Sequence, residues 1–263
     1  MTAPAFDPAT GLLTAPRDTI AALATIVTGA GEADGAAVDA ALGAAGAGSL
    51  ADPHPKLAAA LAPMSAPIIG VRLGKTGYVM PGWVGQGRFT LHAYRGGDDD
   101  QLVPMPAEHL AHFLVWLLDI GPRPRDPRPD ETTVDAAALD RAVAYRLAER
   151  PSEGLLPEPL DSAIAHRFRD WWLASSRWTP APDAPGEIML EAVDTDAGLW
   201  SVQRLEDGTT AIVRPVTPMS TFLALGDLLP SNRLIDAGAK RLAPDLTPVV
   251  GGPAAWVNQA LAT

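Results

Sequence analysis

The 263 residues contain no cysteine, which excludes a disulfide framework and any thiolate metal site. Lysine is nearly absent and the formal net charge is -11. Nucleic-acid binders display a basic face, because neutralising phosphates drives their affinity. None is expected here, so nucleic acid and anionic membrane surfaces are set aside as partners. The Ala-rich stretches are broken by Gly and Asp well short of the ~20 apolar residues that span a bilayer. Met1–Pro16 has neither a basic n-region nor an apolar h-region, so no secretory signal is expected and a cytoplasmic location is.

What remains is a globular composition, 47% hydrophobic and 19% charged, with 26 prolines that promise many loops. Residues 1–16 read as a flexible tail. The half that follows, 17–121, opens with helices: Ile20, Leu23 and Val27 form an apolar stripe ended by Gly29. Val38 with Leu42, and the stretch Pro55–Leu61, suggest two more. Ile68–Leu73, Tyr78–Val84, Arg88–Tyr94 and Gln101–Met105 then read as four strands separated by turns. In the third, Phe89, Leu91 and Ala93 alternate with Arg88, Thr90 and His92, the period of a sheet. Pro106 opens a helix striped by Leu110, Phe113, Leu114 and Leu117 and stopped at Gly121.

The segment 122–133 is a proline-rich linker, and 134–263 forms the second half. Thr132 with Asp135 is expected as a capping box before a helix bearing Leu139, Val143 and Leu147. Another helix presents Leu160, Ile164 and Phe168. Trp171–Trp178, Glu187–Asp194, Leu199–Leu205 and Thr209–Arg214 read as four strands, with Asp207-Gly208 as a hairpin turn. Thr217-Pro218 starts a last helix through Phe222, Leu225 and Leu229. Four strands and a proline-initiated helix thus occur twice. The fold expected is α+β, a central antiparallel sheet built from two ββββα repeats with pseudo-two-fold symmetry and flanked by helices.

Signs of chemistry are sparse. Glu108-His109-Leu110-Ala111-His112 sets two histidines at i and i+3 with a carboxylate beside them, a spacing able to share a divalent cation. It misses the HExxH pattern of metalloproteases and has no evident third ligand. The plainer reading puts His109 and His112 at the half-exposed border of an apolar stripe. Gly29-Ala30-Gly31 with Gly35, and the glycines of 43–48, follow helices rather than strands, so they read as connectors and not phosphate loops. No GxSxG elbow occurs. Asp98-Asp99-Asp100 lacks the spaced ligands of a calcium loop and reads as a solvated turn. No catalytic residue, metal or other cofactor is expected. Adjacent Trp171 and Trp172 must point to opposite sheet faces, so both need cover, or one is left as an anchor for a partner.

The run from Glu187 to Pro230 resembles the C-terminal half of the EspG family, cytosolic chaperones of type VII (ESX) secretion in actinobacteria. The resemblance rests on Val193-Asp194-Thr195 followed by Ala197-Gly198, on Thr217-Pro218, and on Leu228-Leu229-Pro230. The first repeat, Ile68–Leu118, is similar in element order alone. The resemblance implies a monomer or weak homodimer that grips the apolar tip of a helical secreted protein or heterodimer, of PE–PPE or WXG100 type. It also implies that the loop between the second and third strands takes part, namely Trp83, Gly85, Gln86, Gly87 and Arg88. Two alternatives stand beside it: a metal-dependent enzyme using Glu108, His109 and His112, and a binding or scaffold protein that shares only the fold.

Overall fold

The computed structural model of the chain describes residues 3–75, 78–94, 97–122, 131–178 and 186–229. Its frame is one antiparallel sheet of eleven strands. Four strands belong to each expected repeat: β3 (Ile69–Lys75), β4 (Tyr78–Gly85), β5 (Arg88–Tyr94) and β6 (Asp99–Pro106), then β8 (Phe168–Trp178), β9 (Glu187–Thr195), β10 (Gly198–Arg204) and β11 (Thr210–Val216). Three more were not foreseen: β1 (Ala5–Phe6), β2 (Leu13–Pro16) and β7 (Thr132–Asp135). The order is β1-β2-β6-β5-β4-β3-β8-β9-β10-β11-β7. With the two-residue β1 set aside, each half runs outward from the β3–β8 seam as a meander and ends on a strand drawn from before it. The expected α+β class with a central antiparallel sheet is therefore what the chain adopts.

Hairpins make this order cheap to form, because each strand pairs with its sequence neighbour across a short turn. The seam is the exception. β3 and β8 pair over seven residues, from Ile69↔Trp178 to Lys75↔Trp172, and join the halves through continuous backbone hydrogen bonding.

Helices cover both faces. On one lie α1 (Arg17–Thr28), α2 (Gly35–Ala44), α3 (Pro55–Ser65), α5 (Ala136–Leu147) and α6 (Leu160–Arg167); on the other lie α4 (Leu110–Leu117) and α7 (Pro218–Gly226). Alternation along β8 divides the cores. Trp171 and Leu173 face α5 and α6, while Trp172, Ala174 and Trp178 belong to the core beneath α4 and α7. Both neighbouring indoles are therefore covered. Trp171, Val193 and Trp200 stand in one row across β8, β9 and β10.

Several expectations need correction. Of the expected tail 1–16, the described residues 3–16 are not loose: Leu13 is 1% exposed and pairs with Leu102 near the sheet's edge. Leu13 and Ala15 alternate inward with polar Thr14 between them, a strand too short to stand out in composition. Thr132 and Asp135 form no capping box, because Thr132–Asp135 is β7. Asp135 itself caps α5 by accepting from the Ala138 N–H. The linker 122–133 falls mostly outside the described residues, and its last two residues open β7. Pro106 ends β6, and a 3₁₀ turn, Ala107–His109, precedes α4. Gly121 does not stop α4, which ends at Leu117 with Asp119 beyond it at φ 52. Phe168 begins β8 rather than closing α6. The second half as expected runs on past Leu229, outside the described residues.

Candidate functional site

Among the described residues most large apolar side chains are inside, but three on the α4–α7 side are not. Trp116, Met219 and Leu223 are among the few exposed large hydrophobic residues, Trp116 at 74% and Leu223 at 62%. The two helices lie side by side, with the His112 ring edge-on to Phe222 at 5.4 Å. Trp116 follows His112 by one helical turn, and Met219 precedes Leu223 by one, so these side chains share the face turned away from the sheet. The capping box of α7 fixes its start: the Ser220 N–H donates to Thr217 Oγ1 and the Thr217 N–H donates back to Ser220 Oγ, both at 3.1 Å.

Beside α7 the helix does not seal the sheet. A groove of about 370 Å3 runs between α7 and β9–β10, lined in part by Trp172, Leu190, Ser201, Gln203, Val216 and Ala224. Comparing the two hairpins explains it. β4–β5 closes at Gly85↔Arg88 and β9–β10 at Thr195↔Gly198. Counting inward from these closures matches Gly82↔Leu91 in the first hairpin with Ala192↔Ser201 in the second. In the first, Leu91 is buried and the Phe89 ring fills the space a Cβ on Gly82 would need, at 2.6 Å. In the second, Leu199 stands where Phe89 does and Ser201 where Leu91 does. Smaller side chains leave the space open.

Two of the residues behind the sequence resemblance, Asp194 and Thr195, support the β9–β10 turn. Asp194, one residue before the end of β9, has its carboxylate 3.7 Å from Arg169 Nε, and Arg169 also bonds Asp196 at 3.1 Å and Asp119 at 3.0 Å. One guanidinium thereby ties the end of α4 to the β9–β10 turn. Hydrogen bonding to Asp196 first, and the nearby carboxylates next, push Arg169 further above its ordinary range. Thr195 Oγ1 donates to the Gly198 carbonyl at 2.9 Å and closes the turn.

The expected loop residues divide. Trp83 is 3% exposed and packs beneath the α1–α3 layer. Gly85 is buried, with the Ala66 carbonyl 2.9 Å from where a Cβ would stand. Gln86, Gly87 and Arg88 are exposed. Gln86 at φ 53 and Gly87 at φ 70 make a two-residue turn with both central residues left-handed. The Gly87 carbonyl accepts from the Ala107 N–H at 3.0 Å, so this tip abuts the 3₁₀ turn leading into α4. Trp83 and Gly85 thus hold the hairpin from within, and its tip lies against the turn that leads into α4.

Glu108 and His109 lie on that 3₁₀ turn, exposed and 3.7 Å apart. His112, on α4, packs against Phe222. Among the described residues no three His, Asp or Glu side chains gather as a metal site. The face itself was missed by sequence reasoning. Trp116, Met219 and Leu223 were visible as apolar residues off their helix stripes, but which side of a helix is uncovered depends on its neighbours.

No family model and no curated protein matches the chain. Among solved structures it is similar to the type VII secretion system chaperone EspG5 of Mycobacterium tuberculosis, determined in complex with a PE25–PPE41 dimer. The likeness has a TM-score of 0.53 at 12% identity and covers 88% of this chain and 98% of that one. The two proteins share a fold.

Proposed function

We propose that this protein is a non-enzymatic, chaperone-like adaptor that shields the apolar end of a helical heterodimer of PE–PPE type before its export by a type VII secretion system. The reading is carried by one observation: an exposed apolar face on α4 and α7, with a groove between α7 and the sheet, in a chain that shares the fold of a chaperone solved with such a dimer. An apolar helix tip laid on Trp116, Met219 and Leu223 would cover those side chains and place one residue in the groove. The tip of Gln86, Gly87 and Arg88 would form part of the polar rim. A tryptophan such as Trp116, once covered by a partner, is the residue type that carries most of an interface's energy.

The decisive experiment is co-expression with a PE–PPE-type heterodimer followed by size-exclusion chromatography. Wild type is expected to co-elute with the heterodimer, and Leu223→Glu to elute alone while remaining folded. Failure of the wild type to co-elute, or unchanged co-elution of Leu223→Glu, overturns the reading.

A further inference from the structure

The sheet is split on its other side. The β4–β5 ladder runs from Gly85↔Arg88 to Gly82↔Leu91 and stops. The next pair in that register would be Pro81 with His92. Proline has no N–H to donate, so the ladder loses a bond there and the strands diverge. β4 stays paired with β3 down to Tyr78, and β5 stays paired with β6 out to Tyr94. Between them opens a cavity of about 280 Å3. Four consecutive residues of β4, Tyr78–Pro81, line it, so it follows the strand's edge rather than one face.

The polar groups at this cavity are connected. Asp100, whose side chain is 4% exposed, has both oxygens engaged: Oδ1 with Arg17 Nε at 3.4 Å and Oδ2 with His92 Nε2 at 2.8 Å. The Asp98-Asp99-Asp100 run is thus only partly the solvated turn expected of it. Arg17 Nη2 donates to the Gly97 carbonyl at 2.8 Å, and the guanidinium lies over the Tyr94 ring at 4.3 Å. Tyr94 stacks on Tyr78 with ring centroids 4.0 Å apart.

We infer that this cleft is a binding site for the carboxylate of a small organic acid with an apolar body. The inventory decides the sign of the ligand. Arg17 carries five N–H donors, of which Nε faces Asp100 and Nη2 serves the Gly97 carbonyl, so Nη1 is left over, and the Tyr94 hydroxyl adds another; the His92 Nε2 and the Asp100 carboxylate already engage each other. Donors are in excess, so the complementary ligand brings acceptors, and Arg17 favours a planar carboxylate. Hydrogen bonds from Tyr78 and then Arg17 hold Tyr94 below the ordinary phenol range, which makes its proton the readier to be shared with an acceptor. Ala21, Val79, Met80 and Pro81 supply an apolar wall for the body of the acid. The volume suits one ring and its carboxylate, and the site lies away from the α4–α7 face, so it stands or falls independently of the chaperone reading.

The test is amide NMR of the full chain titrated with phenylacetate and, separately, with phenylacetamide at millimolar concentration. Phenylacetate is expected to shift the Ala21, Val79, Met80, His92 and Tyr94 resonances, and phenylacetamide to leave them in place. Tyr94→Phe keeps the ring stack and removes a hydroxyl, and Arg17→Gln removes the charge. Each should weaken phenylacetate binding roughly tenfold or more. Equal shifts from acid and amide, no shifts from phenylacetate, or unchanged affinity in both variants overturns the assignment.

Discussion

Arg204 holds Glu191 at two points, Nε to Oε2 and Nη2 to Oε1, each at 2.7 Å. Glu191 also accepts from the Trp171 indole Nε1 at 2.9 Å, and Arg204 reaches Asp140 on α5 at 2.7 Å. The network spans β8, β9, β10 and a helix inside the second half. Breaking a buried pair by removing one partner leaves an uncompensated charge, at a cost of roughly 3–5 kcal/mol. Arg204→Met keeps the apolar stem but leaves two carboxylates facing each other. Urea unfolding should show a loss of about 3 kcal/mol; a loss below roughly 1 kcal/mol, the scale of a surface pair, would show that the network does not hold this half together.

Asp140 gives the same network a pH signature. Burial raises its carboxyl above the ordinary value of 3.8, and Arg204 only partly offsets that. A group whose folded value is raised contributes stability below its unfolded value, and the contribution is lost as pH rises through the folded value. Relative to Asp140→Asn, the wild type should therefore gain stability as pH falls from neutral into the ordinary carboxylate range. Urea midpoints of both proteins across that range check this, and a wild type that loses ground to the variant on acidification contradicts it.

The first sixteen residues offer a sharper test of the fold. Leu13→Ala removes a fully buried side chain from the core under α1 and α3, a change that costs about 2–5 kcal/mol. A loose tail would lose nothing. Thermal unfolding of this single variant distinguishes the two cases.

Gly87→Ala probes the hairpin tip. Nothing lies within 4 Å of the added Cβ, so the cost is the left-handed backbone at φ 70 alone, about 1 kcal/mol. Denaturant unfolding measures it, and a neutral substitution would mean that the turn relaxes.

Ser201→Leu tests the groove without touching the exposed face. The matched position in the first hairpin already carries a buried leucine, Leu91, so the new side chain has a precedent in the same setting. Stability should hold within about 1 kcal/mol or rise, while binding of a PE–PPE-type heterodimer falls. Unchanged binding with the groove filled would confine the interface to the helix face.

Legibility in the sequence followed local periodicity. The eight meander strands stood out because short apolar runs lie between turn residues, and because in β5 Phe89, Leu91 and Ala93 announce a period of two that the sheet then honours. β2 and β7 did not, since four residues such as Leu13–Pro16 or Thr132–Asp135 carry one or two inward side chains, too few to separate from a loop or a cap. Their place at the sheet's edges is fixed by pairing with β6 and β11, far along the chain. The loop expected to contact a partner was located correctly as a turn, but Trp83 looked available only because sequence does not say which strand face a helix covers.

By itself, the amino-acid order determined the α+β class, the two four-strand meanders and the helices that follow each. These rest on side-chain alternation, turn chemistry and caps acting over a few residues. Only the tertiary structure decided that β3 meets β8, that α4 and α7 leave Trp116 and Leu223 uncovered, and that Ser201 opens a space which Leu91 fills in the other half. Those outcomes depend on which surfaces meet across distant segments, and burial is a property of the pair, not of either residue alone.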